Sequence, residues 1–194
     1  MINKSQPHET DQERQSRIYP IILSEYNPAW PEWYAEEKAN LERQVGPDNI
    51  TRISHFGSTS VPGLMAKPTI DILLEIKEDT NIDKVIDALS SPDYIYLHQE
   101  SAPTILAPSL HLMFLKGYLY DGFAEKVYHI HIVRHGDWDE KICFRDYLIS
   151  HPETAAEYAK LKRSLFTEFE HDHGGYTAAK GEFVKSITEK AREL

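Results

Sequence analysis

The run that most constrains the fold is TIDILLEI at residues 69–76, an apolar stretch interrupted near its start by Asp71. An apolar run of this length predicts a mostly buried β-strand. The β-branched run at residues 50–56 predicts another strand, which ends at a Gly57-Ser58 turn. A strand, a Gly-Ser turn, a short connection and an acidic strand would place Asp71 near exposed backbone N–H groups. Such donors can hold phosphate oxygens, while a carboxylate can hold the divalent cation that accompanies phosphate.

The remaining pattern predicts strands first and helices last. Residues 1–16 are polar and predict a disordered tail, and residues 17–194 are long enough for a single domain with a proper core. Further strands are predicted at residues 18–23 (an edge strand, because it contains Pro20), 94–97, 110–115 and 126–133. Helices are predicted from an Asn27 cap, with Pro28 in the first turn, to Gly46, at residues 81–90, and from Trp138 onward with breaks near residues 150–152 and 173–175. We therefore predict an α+β fold, a mixed β-sheet covered by helices with a helical C-terminal part.

Composition excludes several classes of function. Cys143 is the only cysteine, so no intrachain disulfide is possible. No apolar run approaches the roughly 20 residues that a bilayer requires, so we expect no membrane association and a cytoplasmic location. The net charge of −10 argues against binding to long nucleic acid, which depends on Lys and Arg. It still permits a local basic pocket for one small phosphorylated ligand, and it leaves the oligomeric state open.

The turn and the acidic strand resemble a known pattern. A Gly-Ser turn followed by an acidic strand is similar to the nucleotidyltransferase superfamily. More closely, the motif HFGSTSVPGLMAKPTIDI at residues 55–72 resembles the GrpB family. Other blocks resemble the same family: YNPAWP at residues 26–31, His129-Ile-His131, FRDYL at residues 144–148, and Tyr176 with Lys180 and Phe183. The resemblance covers about residues 18–194 and implies a nucleotidyltransferase-like fold.

The resemblance also implies a ligand and a reaction class. It implies a pocket for a nucleotide or another small phosphorylated ligand with a divalent metal, Mg or Mn, and transfer of a nucleotidyl or phosphoryl group if the protein is an enzyme. Asp71 would hold the metal, and Lys67 or Arg145 would neutralise developing charge. The expected ligand-binding residues are His55, Gly57, Ser58, Thr59, Ser60 and Lys67.

One position departs from the superfamily pattern. Active transferases usually carry a second acid two residues after the first, and this chain has Leu73 there. Glu75 shares the strand face, but at about 3.3 Å per residue it lies roughly 13 Å from Asp71, too far to bind the same ion. A two-metal clamp would need acids from elsewhere. An alternative hypothesis is therefore a non-catalytic ligand-binding module. Because family members are also fused to dephospho-coenzyme A kinase, a coenzyme A-related accessory role is a variant of it.

A third hypothesis comes from His129 and His131. Residues i and i+2 on a strand point the same way, about 7 Å apart, so both imidazoles can reach one ion. With Asp71 on a neighbouring strand they form a set that suits Mn, Fe or Zn, which predicts a metal-dependent hydrolase. The pair also fits one hydrogen-bonded core histidine beside a surface neighbour. His111 on the preceding strand is a candidate third imidazole.

Other residues have structural alternatives beside the functional ones. The hydroxyls of residues 58–60 also suit capping of a short helix, and Arg145 also suits an ion pair with Asp71. If the C-terminal helices cover the open side of the sheet, the same groove would be lined by Tyr158, Lys162, Tyr176 and Lys180.

Overall fold

The computed structural model describes residues 18–97, 110–134, 138–169 and 172–193. Within these residues the strands are β1 (Ile50–Phe56), β2 (Thr69–Ile76), β3 (Tyr94–Leu97), β4 (His111–Leu119) and β5 (Gly122–Val133). The helices are α1 (Trp30–Val45), α2 (Ile82–Leu89), α3 (Trp138–Ser150), α4 (Pro152–Phe169) and α5 (His173–Arg192). Short 3₁₀ turns occupy Pro47–Asn49 and Ser58–Ser60. The tail predicted at residues 1–16 lies outside the described residues.

The five strands form one mixed sheet in the order β1-β2-β5-β4-β3. β2 and β5 are parallel, and the other neighbouring pairs are antiparallel. The parallel register sets Asp71 opposite His129 and Leu73 opposite His131. The predicted α+β class, with a mixed sheet covered by helices and a helical C-terminal part, is confirmed and is consistent with a nucleotidyltransferase-like fold.

One face of the sheet packs against α1 and α2. Side chains alternate between the two faces of a strand, so the even-numbered residues of β2, from Ile70 to Ile76, all point to this side. They join Trp30 and Leu41 of α1 and Leu89 of α2 in the largest apolar cluster. Burying each large side chain contributes about 1.5–3 kcal/mol. This core holds β2 in place in the sheet.

The opposite face carries a smaller core and the candidate site. Leu73 packs there with Phe56, Val133 and Ile142, the last of which belongs to α3. Asp71 lies on the same face of β2, two residues before Leu73. Helices α3 to α5 pack on the connection after the 3₁₀ turn in a separate cluster that contains Val61, Leu64, Leu148 and Tyr158. The C-terminal helices therefore cover this face of the sheet next to Asp71.

The first predicted strand and the first helix cap are wrong. Residues 18–23 form no strand, since Pro20 has no N–H to donate. Among the described residues the pairing next to them is an isolated bridge between Ser24 and Ala66. Helix α1 begins at Trp30 and has Pro31, not Pro28, in its first turn. Asn27 instead accepts a hydrogen bond from the N–H of Ala29 in a turn before the helix, at 3.0 Å.

Three other predicted helix boundaries hold, whereas β4 ends later than the predicted residue 115 and β5 begins earlier than the predicted residue 126. Asn81 caps α2, α1 ends before Gly46, and α3 ends at Ser150. The predicted break at residues 173–175 is wrong, because these residues form the first turn of α5, where Asp172 accepts from the N–H of Gly175. In the described part of the chain, no helix combines the length and the apolar character needed to cross a membrane.

Replacing Leu73 with Asp tests whether the missing acid can simply be restored. Leu73 is fully buried, so a carboxylate there would lose its hydration among apolar neighbours. We expect Leu73→Asp to lower the free energy of unfolding by several kcal/mol, whereas Leu73→Met should cost less than about 1.5 kcal/mol. Urea denaturation followed by circular dichroism measures both. Equal stability of the two variants would contradict the packing described for this face.

Candidate functional site

A pocket of about 460 Å³ lies between the second face of the sheet and helices α4 and α5. Strands, the 3₁₀ turn and both helices contribute to its wall. Its polar lining consists of Ser58, Thr59, Lys67, Thr69, Asp71, His129, His131, Lys162, Tyr176, Thr177 and Lys180, with Phe56 and Met113 as apolar neighbours.

Asp71, His129 and His131 meet in this pocket. One potential ligand atom from each residue lies within 4.8 Å of the other two. His129 Nδ1 is 3.5 Å from Asp71 Oδ1, and the side chains of these two residues are 19% and 26% exposed. The meeting follows from the parallel register, which sets Asp71 beside His129, and from the strand period, which turns His131 to the same face.

The far side of each imidazole is held by another side chain. His129 Nε2 is 2.7 Å from the Tyr118 hydroxyl, and His131 Nδ1 is 3.0 Å from His111 Nε2. Nε2 is therefore the ring nitrogen of His131 that is available as a ligand. Such outer hydrogen bonds fix the orientation and tautomer of metal-binding histidines. His111 supports His131 rather than joining the group of three.

The protonation states of the group suit a cation. Burial by itself raises the pKa of Asp71, but the hydrogen bond to His129 and the charges of His129, His131 and Lys67 outweigh it, so the pKa is lowered. Burial lowers the pKa of His131 to about 4, against the opposing charge of Asp71. An ionised carboxylate and a neutral imidazole are the forms that bind metals. Two imidazoles and one carboxylate fit Mn, Fe or Zn.

Three lysines surround the same pocket. Burial lowers the pKa of Lys67, with the nearby Asp71 charge acting in the opposite direction. It lowers the pKa of Lys180 to about 8, helped by Lys67 and opposed by Asp71. It lowers the pKa of Lys162 to about 7, helped by Lys180. Ammonium groups that have lost hydration gain most from an incoming anion, so the pocket is suited to phosphate.

His55 positions the turn and does not line the pocket. Its ring is buried against Tyr34, with ring centroids 4.9 Å apart. The Thr59 hydroxyl donates to the carbonyl oxygen of Thr69 at 3.0 Å, so His55 Nε2, 3.0 Å from that hydroxyl, must be a donor. This chain of two hydrogen bonds ties the 3₁₀ turn to the start of β2.

Ser60 and Arg145 also lie outside the pocket lining. The Ser60 hydroxyl donates to the carbonyl of Gly57 at 2.6 Å, which closes the turn. Arg145 donates to Ser54 Oγ at 3.1 Å and to the carbonyl oxygen of His55 at 2.8 Å, and it pairs with Asp146. The guanidinium is thus engaged at β1 rather than with phosphate or with Asp71. Lys67 is the predicted charge-neutralising residue that lines the pocket.

Gly57 allows the turn to approach Asp71 closely. Its φ of +72° lies in the left-handed region that disfavours side chains. A Cβ atom at this position would lie 2.2 Å from Asp71 Oδ2. The carboxylate therefore occupies the space that a side chain would need.

The residues around Asp71 supply no second acid from β2. Leu73 belongs to the apolar core, and the carboxylate of Glu75 pairs with Arg52 on β1.

Several contributors to the site were missed from the sequence, among them Tyr118 and Thr177, and the lining residues Phe56, Thr69 and Met113. Tyr118 was missed because the predicted strand stopped at residue 115, whereas β4 continues to Leu119. The continued alternation of the chain into the hairpin with β5 was the available signal. Thr177 was missed because one threonine on a polar helix face has no distinguishing pattern.

The chain is similar to proteins that carry the names GrpB or UPF0157. A family model described as "GrpB protein" matches residues 20–190. UPF0157 protein YqkA of Bacillus subtilis is 33% identical over 182 residues, which cover 90% of this chain and 49% of YqkA, so the chain spans about half the length of that relative. Glutamate-rich protein GrpB of Alkalihalophilus pseudofirmus is 32% identical over 86% of this chain and 93% of its own. A crystal structure of conserved protein GrpB from Enterococcus faecalis superposes with a TM-score of 0.74 at 29% identity, covering 88% of this chain and 96% of that one.

Gly57→Ala tests the close approach to Asp71, and Gly63→Ala is its matched control. Both glycines have positive φ, so both alanines strain the backbone by about 1–2 kcal/mol. Only the Gly57 methyl group would meet Asp71, because no atom of the described residues outside the local backbone lies within 4 Å of a Cβ at Gly63. We expect Gly57→Ala to have the lower melting temperature, because its methyl group overlaps the Asp71 carboxylate, and to lose Mn²⁺ binding, measured by calorimetry, while Gly63→Ala keeps it. Equal Mn²⁺ affinity in the two variants would contradict this prediction.

Proposed function

The chain belongs to the GrpB family, and we propose that its pocket binds a small phosphorylated ligand, with a nucleotide as the first candidate, together with a divalent cation. One observation carries the proposal: a carboxylate and two imidazoles face the same space as Lys67 and Lys180. An anionic ligand would compensate the lysines, and a cation would compensate Asp71. A phosphate with its accompanying metal supplies both.

In this proposal each group has a separate task. Asp71, His129 and His131 would hold the cation, for which Mn is the first candidate and Mg, Zn and Fe are further ones. When bound, such a cation polarises a phosphoryl oxygen and lowers the pKa of a bound water. Lys67 and Lys180 would neutralise the phosphate oxygens, while Ser58 and Thr59 lie at the wall beside them. The ligand would be a small molecule rather than long nucleic acid, because the negative net charge of the protein disfavours binding to a polyanion.

A metal-dependent hydrolase is the second candidate. The observation that favours it is the pair of histidines beside Asp71, since three protein ligands leave positions for water and substrate. Two-metal nucleotidyl transfer fits less well, because Leu73 is core and Glu75 is paired with Arg52. A non-catalytic binding module would use the same pocket without turnover.

The pocket continues into a groove that suits the remainder of a larger ligand. A second cavity of about 550 Å³ shares Thr177 and Lys180 with the first and runs along α5 past Gly181 and Val184. Within the described part of the chain, a Cβ atom built on Gly181 would have no atom within 4 Å beyond those of its own helix backbone. A phosphate bound beside Lys180 therefore has room on this side for an attached group such as a nucleoside.

Asp71→Asn is the principal test of the proposal. It preserves the shape of the side chain but removes the charge that would hold the cation. We expect the binding of Mn²⁺ and Mn²⁺-dependent binding of ATP to weaken at least about tenfold in isothermal titration calorimetry, which is about 1.4 kcal/mol. Asp87→Asn makes the same change at an exposed position of α2, and this variant should bind Mn²⁺ and ATP as the wild type does. Unchanged affinity for Mn²⁺ in folded Asp71→Asn would refute the cation site, and pyrophosphate release from ATP by the wild type would restore nucleotidyl transfer.

Gly181→Leu tests the extent of the ligand. The leucine would project into the groove, whereas Gly181→Ala adds one methyl group and should stabilise the helix by about 1 kcal/mol. We expect Gly181→Leu to weaken nucleotide binding but to leave the binding of inorganic phosphate unchanged in calorimetric titrations. If phosphate and nucleotide weaken by the same factor, or if neither weakens, the groove does not receive the nucleoside.

A further inference from the structure

Lys162 of α4 is an unusually buried lysine. Its side chain is only 2% exposed. Its amino group donates to the carbonyl oxygen of Met65, lies 3.2 Å from Ser58 Oγ, and sits 4.6 Å from the centre of the Tyr158 ring. Among the described residues, no carboxylate oxygen lies within 4.0 Å of it. The amine is therefore surrounded by neutral groups.

Such surroundings favour the uncharged amine. A buried ammonium without an anionic partner is costly, and the nearest charged neighbour, Lys180 of α5, makes it costlier. The phenols of Tyr158 and Tyr176 have pKa values raised by burial, so neither supplies a negative charge at neutral pH. With the pKa of Lys162 lowered to about 7, a large share of the amine is unprotonated and can accept a proton.

We propose that Ser58 is a nucleophile and that Lys162 is its general base, in phosphoryl transfer through a phosphoserine. The donor is the phosphorylated ligand of the proposed function, on which this step rests. Ser58 lies in the pocket wall, and the nitrogen of Lys162 is within hydrogen-bond reach of its hydroxyl. The Met65 carbonyl orients the amine, which completes the nucleophile, base and orienting group of an activated serine.

The chemical step balances within the pocket. Ser58 Oγ attacks the phosphorus of a phosphate monoester and forms the Oγ–P bond as the bond from phosphorus to the ester oxygen breaks. The hydroxyl proton passes to Lys162 Nζ and then to the departing alkoxide. Water, or the hydroxyl of an acceptor, afterwards takes the phosphoryl group and restores the Ser58 hydroxyl. Lys67 and Lys180 neutralise the oxygens of the phosphoryl group during transfer.

The histidines in and beside the pocket have other partners, and the remaining nitrogen of His131, Nε2, is the one assigned above to the cation. His55 donates to Thr59, and His129 has one nitrogen toward Asp71 and the other toward Tyr118. His131 Nδ1 is occupied by His111. Ser60, the other serine of the turn, donates its hydroxyl to the carbonyl of Gly57. Ser58 itself is hydrogen-bonded to the Tyr158 hydroxyl, and in this arrangement the Lys162 amine donates to Ser58 Oγ. For the proposed step the Ser58 hydroxyl rotates from Tyr158 to the neutral amine, 3.2 Å away.

The test uses diisopropyl fluorophosphate, an uncharged phosphorus electrophile that reacts with activated serines without needing metal or phosphate binding. We expect intact-mass analysis and peptide mapping to find one adduct, on Ser58. The labelling rate should rise with pH through about 7 and then level, because only the neutral amine accepts the proton. Labelling should disappear in Ser58→Ala and slow at least about 100-fold in Lys162→Arg and Lys162→Met. Ser90→Ala, which removes an exposed hydroxyl at the end of α2, should be labelled as the wild type is.

Several results would overturn the proposal that Ser58 is the nucleophile and Lys162 its general base. These are the absence of an adduct on Ser58, a rate independent of pH between 6 and 9, or unchanged labelling in a folded Lys162 variant. Circular dichroism identifies variants that do not fold. If both Lys162 variants are unfolded, the wild-type adduct and its pH profile decide the matter. If Ser58 is labelled but Mn²⁺-dependent ATP binding is absent, the proposed ligand is refuted and the activated serine is retained. If ATP binds with Mn²⁺ but Ser58 is not labelled, only the pairing of Ser58 with Lys162 is refuted.

Discussion

The parallel pairing of β2 with β5 determines which side chains can meet in the pocket. It sets Asp71 directly opposite His129, and the alternation of side chains then turns His131 to the same face. A slip of one residue would place Ile130 beside Asp71 and would turn apolar residues out of the core. The apolar cluster on the other face, built from the even-numbered residues of β2, opposes such a slip. Core packing on one side of the sheet thus fixes the chemistry on the other.

Features that depend on local patterns were predictable from the sequence. The apolar run of β2, the Gly-Ser turn and the spacing of His129 and His131 each follow from the strand period or from turn chemistry. The partners of Arg145 were not predictable, because helical spacing shows that its neighbours Phe144 and Leu148 are apolar without showing which strand the guanidinium reaches. The cap at Asn27 failed because an Asx turn and a helix cap use the same side-chain oxygen. Their difference depends on where the next backbone hydrogen bonds form.

The electrostatics of the pocket differ from those of the whole chain. A net charge of −10 repels anions at long range, yet the pocket wall gathers Lys67, Lys162 and Lys180. Surface charges are screened beyond about 8–10 Å at physiological salt, so the local wall governs what binds. The sequence placed Lys162 and Lys180 in this wall only on the condition that the C-terminal helices cover the sheet, because these lysines come from α4 and α5, more than 90 residues after the turn that they face. The packing of those helices on the 3₁₀ turn brings them there.

The contact between Arg145 and β1 affects how much of the outer edge of the sheet is accessible to other molecules. β1 is an outermost strand, and the outward backbone groups of such a strand can recruit a strand from another molecule. By donating to the carbonyl oxygen of His55 and to Ser54, Arg145 occupies one of these positions with a charged side chain. Helix α3 therefore covers part of the outer edge of β1 through Arg145, independently of anything that the pocket binds.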